Sequence, residues 1–131
     1  MKKVDTLKEI VLKKKEKIIL AKQQSSEGDL KEKVQNLSPT RSFIEAVNKP
    51  HQISLIAEIK GRSPSGGIIR QDFNPVEIAR IYQDSGAQAI SVLTEEDYFG
   101  GNIFYIQQIK EAVNLPILRK DFILEAYQVY E

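Results

Sequence analysis

The 131 residues of the chain suffice for one domain with a substantial core, since folding at this length buries roughly two-thirds of the unfolded surface. Hydrophobic residues make up 41% of the chain and charged residues 28%, which is typical of a globular domain and not of a disordered one. The absence of cysteine excludes disulfides and thiolate chemistry, and with a single histidine it argues against a transition-metal site. No apolar run approaches the roughly 20 residues of a membrane span, so we expect a cytoplasmic protein that uses no metal and no membrane.

The N-terminal segment is basic and predicts a helix. Residues 1–24 hold eight lysines and three acidic residues. A basic arm can bind nucleic acid. No aromatic side chain interleaves with these lysines, however, so we favour a helix with a solvated basic face and predict no nucleic-acid partner. The apolar residues at close to helical spacing are Leu7, Ile10, Val11, Ile18 and Ala21. A polar connection with one short helix follows, and "RSFIEAV" predicts another helix.

From Ile53 onward the sequence predicts strands that alternate with helices. The strands are "ISLIAEI", "QAISVLT" and "LPILRK", spaced by roughly 30 residues, the size of a strand–helix unit. Asn74 and Pro75 mark the start of the first helix between them, Gly86 marks its end, and Asn102 caps the second helix. The order βαβαβ with near-continuous apolar strands predicts a parallel sheet covered on both faces. "DFILEAYQVYE" then predicts the opening of a further helix.

Charged side chains occur where two of these strands end. Glu58 and Lys60 are two residues apart on a strand, so they share a face, and each stabilises the charged form of the other. Lys120 ends the third strand. Because the carboxyl ends of parallel strands form the ligand-binding side of α/β folds, we expect Lys60 and Lys120 to converge on a crevice suited to an anionic substrate and to proton transfer. Either lysine alone is more often a surface charge, but repetition at successive strand ends favours a site.

The loops after the strands add candidate binding groups. "SPSGG" offers hydroxyls and backbone donors that could hold an anion, although it matches no complete phosphate-loop motif and is most often simply a loop. "TEEDYFGG" contributes Phe99, and Phe122 follows the third strand. Such aromatic residues are more often caps of a core than walls of a ligand pocket, so both readings stay open.

Three segments together resemble the first three strand–loop segments of the indole-3-glycerol-phosphate synthase family. They are "LIAEIKGRSPSGG", "ISVLTEEDYFGG" and "LPILRKDFI", in that order and spacing. The basic helix and "RSFIEAV" are similar to the N-terminal extension of that family. The resemblance implies an α/β fold, the N-terminal part of a (β/α)₈ TIM barrel. Residues 1–50 would form the helical extension and residues 51–131 the first three strand–helix units.

The resemblance also implies a reaction. Family members close the indole ring of 1-(2-carboxyphenylamino)-1-deoxyribulose 5-phosphate with loss of carbon dioxide and water, without a cofactor, as carboxy-lyases of tryptophan biosynthesis. By motif, Lys120 would be the general acid at the sugar carbonyl. Lys60 would bind the anionic substrate and assist proton transfer, with Glu58 orienting it. The implied substrate-binding residues are Ser63, Phe99 and Phe122.

A complete barrel is longer than this chain, since it typically needs about 250 residues. The family's later strands supply a further catalytic carboxylate, an asparagine and much of the phosphate-binding loops, so we expect the chain alone to be inactive. Two alternatives stay open. One is a non-catalytic half-barrel that self-associates through its open sheet edges. The other is a different phosphosugar barrel such as phosphoribosylanthranilate isomerase, against which the pattern of Lys60 and Lys120 argues.

Overall fold

The computed structural model describes residues 5–131, which form two compact units. One unit is Thr40–Asp121, and the other combines the described part of residues 1–39 with Phe122–Glu131. The first four residues of the predicted basic helix lie outside the described residues. The division predicted between residues 50 and 51 stays a prediction, because the two units are grouped by their contacts and not by their order along the chain.

A three-stranded parallel sheet lies at the centre of the Thr40–Asp121 unit. Its strands are β1 (Ile56–Ile59), β4 (Ala89–Leu93) and β5 (Ile117–Lys120), in the spatial order β1-β4-β5. Both strand pairs are parallel, as predicted. The first strand begins three residues later than Ile53, whose side chain is fully exposed. The βαβαβ order and the parallel sheet are therefore confirmed.

Two helices and the sheet form the core. They are α4 (Pro75–Asp84) and α5 (Phe104–Ala112). The Asn74 side chain accepts hydrogen bonds from the first turn of α4, so this predicted cap is confirmed. Asn102 Oδ1 accepts from the Phe104 amide at 3.0 Å, but the residue directly before α5 is Ile103, so Asn102 lies one residue upstream of the predicted cap position. Gly86 follows α4 with a φ of +88°, the left-handed turn that ends many helices. The buried core side chains are Ile59, Ile78, Ala79, Ile90, Val92, Ile109 and Val113.

The opposite face of the sheet is open at its edges. Ile56 on β1 and Leu118 on β5 each keep 45% of their surface exposed, although the central strand between them is buried throughout. The prediction that the sheet is covered on both faces is therefore wrong for the edge strands. The apolar pattern indicates which strands can be buried on both faces. The helices α4 and α5 cover only one face of the sheet, and other residues would have to cover the second.

A short hairpin, which the sequence pattern did not predict, directly follows β1. Strand β2 (Arg62–Ser63) pairs in antiparallel fashion with β3 (Gly67–Ile68) across a three-residue turn. Gly67, the first residue of β3, has a φ of +64°, a left-handed conformation that favours glycine. The loop "SPSGG" is therefore the turn of a hairpin with a defined register.

The remaining helices are α1 (Thr6–Gln24), α2 (Glu27–Gln35), α3 (Phe43–Val47) and α6 (Tyr127–Tyr130). In the unit that contains α1, Ser26 and Asp29 form a capping box at the start of α2, and the Tyr127 hydroxyl donates to the Ser25 carbonyl at 3.0 Å. Lys14 on α1 is buried, an exception to the solvated basic face that we predicted. Among residues 5–131, no helix is long and apolar enough to cross a membrane.

Candidate active site

The strand register brings Lys60 and Lys120 to one level on the open face of the sheet. Ile59 pairs with Val92, and Leu93 pairs with Lys120. Lys60 directly follows Ile59, so the two lysines flank Leu93, each one strand away from it. Lys60 follows the helix-facing Ile59, and Lys120 follows Arg119, which pairs with the helix-facing Val92. Both lysine side chains therefore point to the open face. Two strand spacings separate their backbones by about 10 Å, a distance that a small substrate can bridge.

Glu58 and Lys60 form an ion pair on this face. Glu58 Oε1 lies 3.0 Å from Lys60 Nζ, and about a third of each side chain is exposed. The backbone of Glu58 is held separately from its side chain, because the Tyr82 hydroxyl donates to the Glu58 carbonyl oxygen at 3.1 Å. A partly exposed pair contributes about 0–1 kcal/mol to stability, so its main effect is to orient the ammonium group. The structure thus brings together the pair that the sequence singled out.

Lys120 is held by its backbone while its side chain stays exposed. The Thr94 amide donates to the Lys120 carbonyl at 3.0 Å. The next residue, Asp121, has a side chain that is only 1% exposed, and its Oδ2 accepts a 2.6 Å hydrogen bond from Thr94 Oγ1. Arg119 Nη2 lies 3.4 Å from the same Oδ2, and Arg119 Nε donates to Thr94 Oγ1 at 3.2 Å. Sequence reasoning missed this cluster, although an arginine at a helix-facing strand position was a signal that a buried partner exists.

A buried carboxylate organises the loop after β4. Glu95 is 2% exposed and accepts three backbone hydrogen bonds, from Asp97 at 3.1 Å, Tyr98 at 2.8 Å and Phe99 at 3.0 Å. A buried charge is tolerated only when it is paired or hydrogen-bonded, and the three amides meet that need. The sequence showed only an acidic run at this point. The half-buried Phe99 is thereby held at a fixed place in the loop.

Arg62 ties this loop to the hairpin after β1. Its Nη2 donates to the Glu96 carbonyl at 3.0 Å and to the Asp97 carbonyl at 2.6 Å. Ser63, the next residue, accepts a 3.0 Å hydrogen bond from the Gly66 amide with its Oγ, which leaves the hydroxyl proton as a donor. The loops that carry the two predicted binding residues, Ser63 and Phe99, are therefore connected through one guanidinium group.

Two glycines allow the close approaches that this arrangement needs. A Cβ at Gly101 would lie 2.4 Å from the Leu93 carbonyl oxygen, so no other residue fits there without a backbone shift. The Gly101 amide also donates to the Glu95 carbonyl at 2.7 Å. A Cβ at Gly61 would lie 3.3 Å from the Phe73 ring, a tight contact that the ring would have to relieve by a small shift.

Ser91 is a further polar group on the open face. It pairs in register with Glu58 on one side and Leu118 on the other. Its hydroxyl is buried and has no hydrogen-bond partner among residues 5–131. An unsatisfied buried hydroxyl costs about 1–3 kcal/mol, so this face favours a bound group that can supply the missing bond. Nothing in the sequence pattern indicated this hydroxyl, because a serine within an apolar strand is common.

Phe122 belongs to the other compact unit, where it is half-buried and its carbonyl accepts a 3.0 Å hydrogen bond from Gln128 Nε2. Its predicted contact with the substrate stays a prediction, as do the roles predicted for the other site residues. In the part of the chain that the structure describes, no group of three histidine, cysteine, aspartate or glutamate side chains could hold a metal ion.

Comparison with known proteins identifies one family. The family model described as "Indole-3-glycerol phosphate synthase" matches residues 7–131. Proteins named indole-3-glycerol phosphate synthase are 45% identical in Neisseria meningitidis serogroup B, over 97% of this chain and 50% of the relative, and 49% identical in Clostridium acetobutylicum, over 95% and 48%. The Geobacillus thermodenitrificans protein of that name is 56% identical over 70% of this chain and 36% of its own length. The chain spans about half the length of the first two.

Proposed function

Because the chain belongs to the indole-3-glycerol phosphate synthase family, we propose that the complete protein containing it closes the indole ring of 1-(2-carboxyphenylamino)-1-deoxyribulose 5-phosphate. The reaction releases carbon dioxide and water, needs no cofactor and makes the protein a carboxy-lyase of tryptophan biosynthesis in the cytoplasm. The parallel sheet with its helices is the corresponding part of the family's TIM barrel. The remaining strands and their functional groups lie outside this chain, so we propose that the chain alone is inactive.

Ring closure needs a proton donor at the sugar carbonyl. As the aromatic carbon attacks, the carbonyl oxygen gains electrons, and a proton delivered there prevents an isolated alkoxide from forming. The Lys120 side chain ends in an ammonium group that can donate such a proton, and the residue is exposed at the open end of the sheet. We assign the proton transfer to Lys120. Departure of the resulting hydroxyl as water needs a second proton, which the Lys120 amine can deliver once solvent has reprotonated it.

The substrate carries a carboxylate and a phosphate, so its binding favours a second cation. Lys60 stands across Leu93 from Lys120 and is oriented by Glu58 at 3.0 Å. We propose that Lys60 binds the anionic substrate and assists proton transfer, with Glu58 setting its direction. Ser63 and Phe99 are proposed substrate contacts, because Arg62 holds their loops together beside these strands. Phe122 is proposed as a third contact on motif alone.

One observation supports this proposal above the others. The register places the two lysines at the same level, on the face that α4 and α5 leave open. Lysines that merely mark the beginning of the surface need not share both a level and a face. Shared placement at the carboxyl ends of two strands of one parallel sheet is the arrangement expected of a ligand site.

Replacing Lys120 tests the proposal. In the complete protein we expect Lys120→Ala to lower kcat by at least about a hundredfold, the usual contribution of a general acid, and Lys60→Ala to raise KM. Indole fluorescence measures turnover. Lys110→Ala is the matched control, because Lys110 is an exposed lysine on α5 that lies on the helix-covered side of the sheet. Lys120→Ala activity above about a tenth of the parent value would contradict the assignment.

A second candidate, self-association, is favoured by the exposed apolar residues on the edge strands. Ile56 and Leu118 lie on the open face, and β1 and β5 each have one edge that pairs with no strand in residues 5–131. Exposed strand edges template pairing with another chain. Light scattering of the 131-residue chain at several concentrations tests this. A folded monomer throughout would contradict it, and a dimer that dissociates on Leu118→Glu substitution would support it.

A further inference from the structure

We propose that Thr94 and Asp121 position Lys120, so that the cluster at the ends of β4 and β5 determines where the proton donor lies. This inference rests on the role proposed above for Lys120. It concerns residues that have no place in that proposal, because neither side chain is expected to meet the substrate.

Thr94 is bonded to the end of β5 twice. Its amide donates to the Lys120 carbonyl at 3.0 Å, and its hydroxyl donates to Asp121 Oδ2 at 2.6 Å. The two bonds reach residues on adjacent positions, one to the backbone of Lys120 and one to the next side chain. Rotation of the Lys120 backbone must break one of them. The last residue of a strand, which would otherwise fray, is therefore fixed at the point where its side chain leaves the sheet.

The charges of the cluster are compensated internally. Asp121 is 1% exposed, and burial of an unpaired carboxylate is costly. Arg119 approaches its Oδ2 at 3.4 Å and also donates to the Thr94 hydroxyl, with 19% of its own side chain exposed. A buried ionic pair often contributes little net stability compared with apolar residues of similar size. The role that we assign to the pair of Arg119 and Asp121 is instead to fix the position of Lys120, which lies between them.

Alternation along the strand separates the cluster from the substrate side. Arg119 and Asp121 are the two neighbours of Lys120, so their side chains leave the strand on the face opposite to its own. Arg119 pairs in register with Val92, which lies in the helix-covered core. The cluster therefore acts on Lys120 through the backbone, and Thr94 and Asp121 are positioning residues and not catalytic ones.

The test compares Thr94→Val with Thr94→Ser in the complete protein. Valine matches threonine in shape and replaces its hydroxyl with a methyl group, whereas serine keeps the hydroxyl. We expect Thr94→Val and Asp121→Asn to lower kcat by about ten- to a hundredfold, since small misplacement of a reacting group costs on that order, while KM changes by less than about threefold. Thr94→Ser should keep kcat within about threefold of the parent. All rates are measured at a temperature well below the midpoint of each variant's thermal unfolding, which circular dichroism determines.

Each result decides the question. Equal kcat values for Thr94→Val, Thr94→Ser and the parent overturn the inference, as does a loss in which KM rises as much as kcat falls. If Asp121→Asn does not fold, the valine–serine pair alone decides, because it changes no charge. Lys120→Ala measured in parallel separates the two proposals. Full turnover in Lys120→Ala overturns the proposed function itself, whereas an inactive Lys120→Ala beside a fully active Thr94→Val overturns only this inference.

Discussion

The two faces of the parallel sheet are built from alternate residues of the same three strands, and they differ in what the side chains do. The face toward α4 and α5 holds Ile59, Ile90 and Val92, all buried in the core. The other face holds Glu58, Lys60 and Lys120, which bear charge and remain accessible. The period of two along a strand thus lets neighbouring residues serve stability and chemistry independently. Substitutions on the two faces should therefore change different measured quantities.

The largest effect on folding is expected on the helix-covered face. Ile90→Ala removes a fully buried side chain and should lower the free energy of unfolding by about 2–5 kcal/mol. Leu118→Ala, on the open face and 45% exposed, should cost less than about 1.5 kcal/mol, because less apolar area returns to water. Urea unfolding monitored by circular dichroism measures both. Equal losses would show that the two faces do not divide their roles as proposed.

A smaller effect is expected at the end of the central strand. Gly101→Ala places a methyl group 2.4 Å from the Leu93 carbonyl oxygen, and the backbone shift should cost about 1–3 kcal/mol. Because the shift begins beside Leu93, which stands between the two lysines, it should also reduce turnover in the complete protein. The matched control is Gly28→Ala on α2, where the new methyl would meet only Ser26 Oγ at an ordinary 3.6 Å. A Gly101→Ala variant as stable and active as the control would contradict the close approach.

The smallest effect is expected in the other compact unit, which contains no strand of the sheet. The hydrogen bond and charge of Glu125 raise the pKa of Lys22 above 10.5, and burial raises the pKa of Tyr127 above 10.0. Both groups are protonated more readily when folded, so their stabilisation is complete below about pH 10 and is lost as the pH rises through the folded-state pKa values. Helical circular dichroism should therefore decline in alkali.

Lys22→Gln is the control for this pH effect. It removes the ammonium group from the ion pair with Glu125, so the alkaline decline should be less steep while the contribution of Tyr127 remains. Because the chain has five tyrosines, the difference in tyrosinate absorbance between the parent and Tyr127→Phe reports the second group. If the circular dichroism of the variant declines with pH as that of the parent does, Lys22 does not contribute to the alkaline effect.

Much of the sheet could be predicted from the sequence because its signals are local. Asn74 lies immediately before α4 and Asn102 lies two residues before Phe104 of α5, and the side chain of each bonds to one or more of the next few amides. The pair Glu58 and Lys60 is also local, since two residues of one strand necessarily share a face. Each of these features depends on residues that lie within a few positions of one another.

The features that could not be predicted depend on distant residues. Thr94 and Asp121 are 27 positions apart and meet only because β4 and β5 pair in one register. Arg62 reaches a loop 34 residues away. The open face was misjudged for a related reason. The apolar side chain of Ile56 indicates that its burial is favourable. The residues that would cover it are not part of that strand, so the strand's sequence does not identify them.

The carboxylate of Glu95 gives its loop a property usually confined to regular structure. The amide hydrogens of Asp97, Tyr98 and Phe99 belong to no helix or strand, yet each is bonded to a side chain that is almost inaccessible to solvent. Exchange of these hydrogens with deuterium should therefore be slow, because the hydrogen bond to the Glu95 carboxylate must break first. In a map of exchange rates this irregular segment would resemble β4, and its labelled amides would report whether a ligand at the lysines loosens the loop or tightens it.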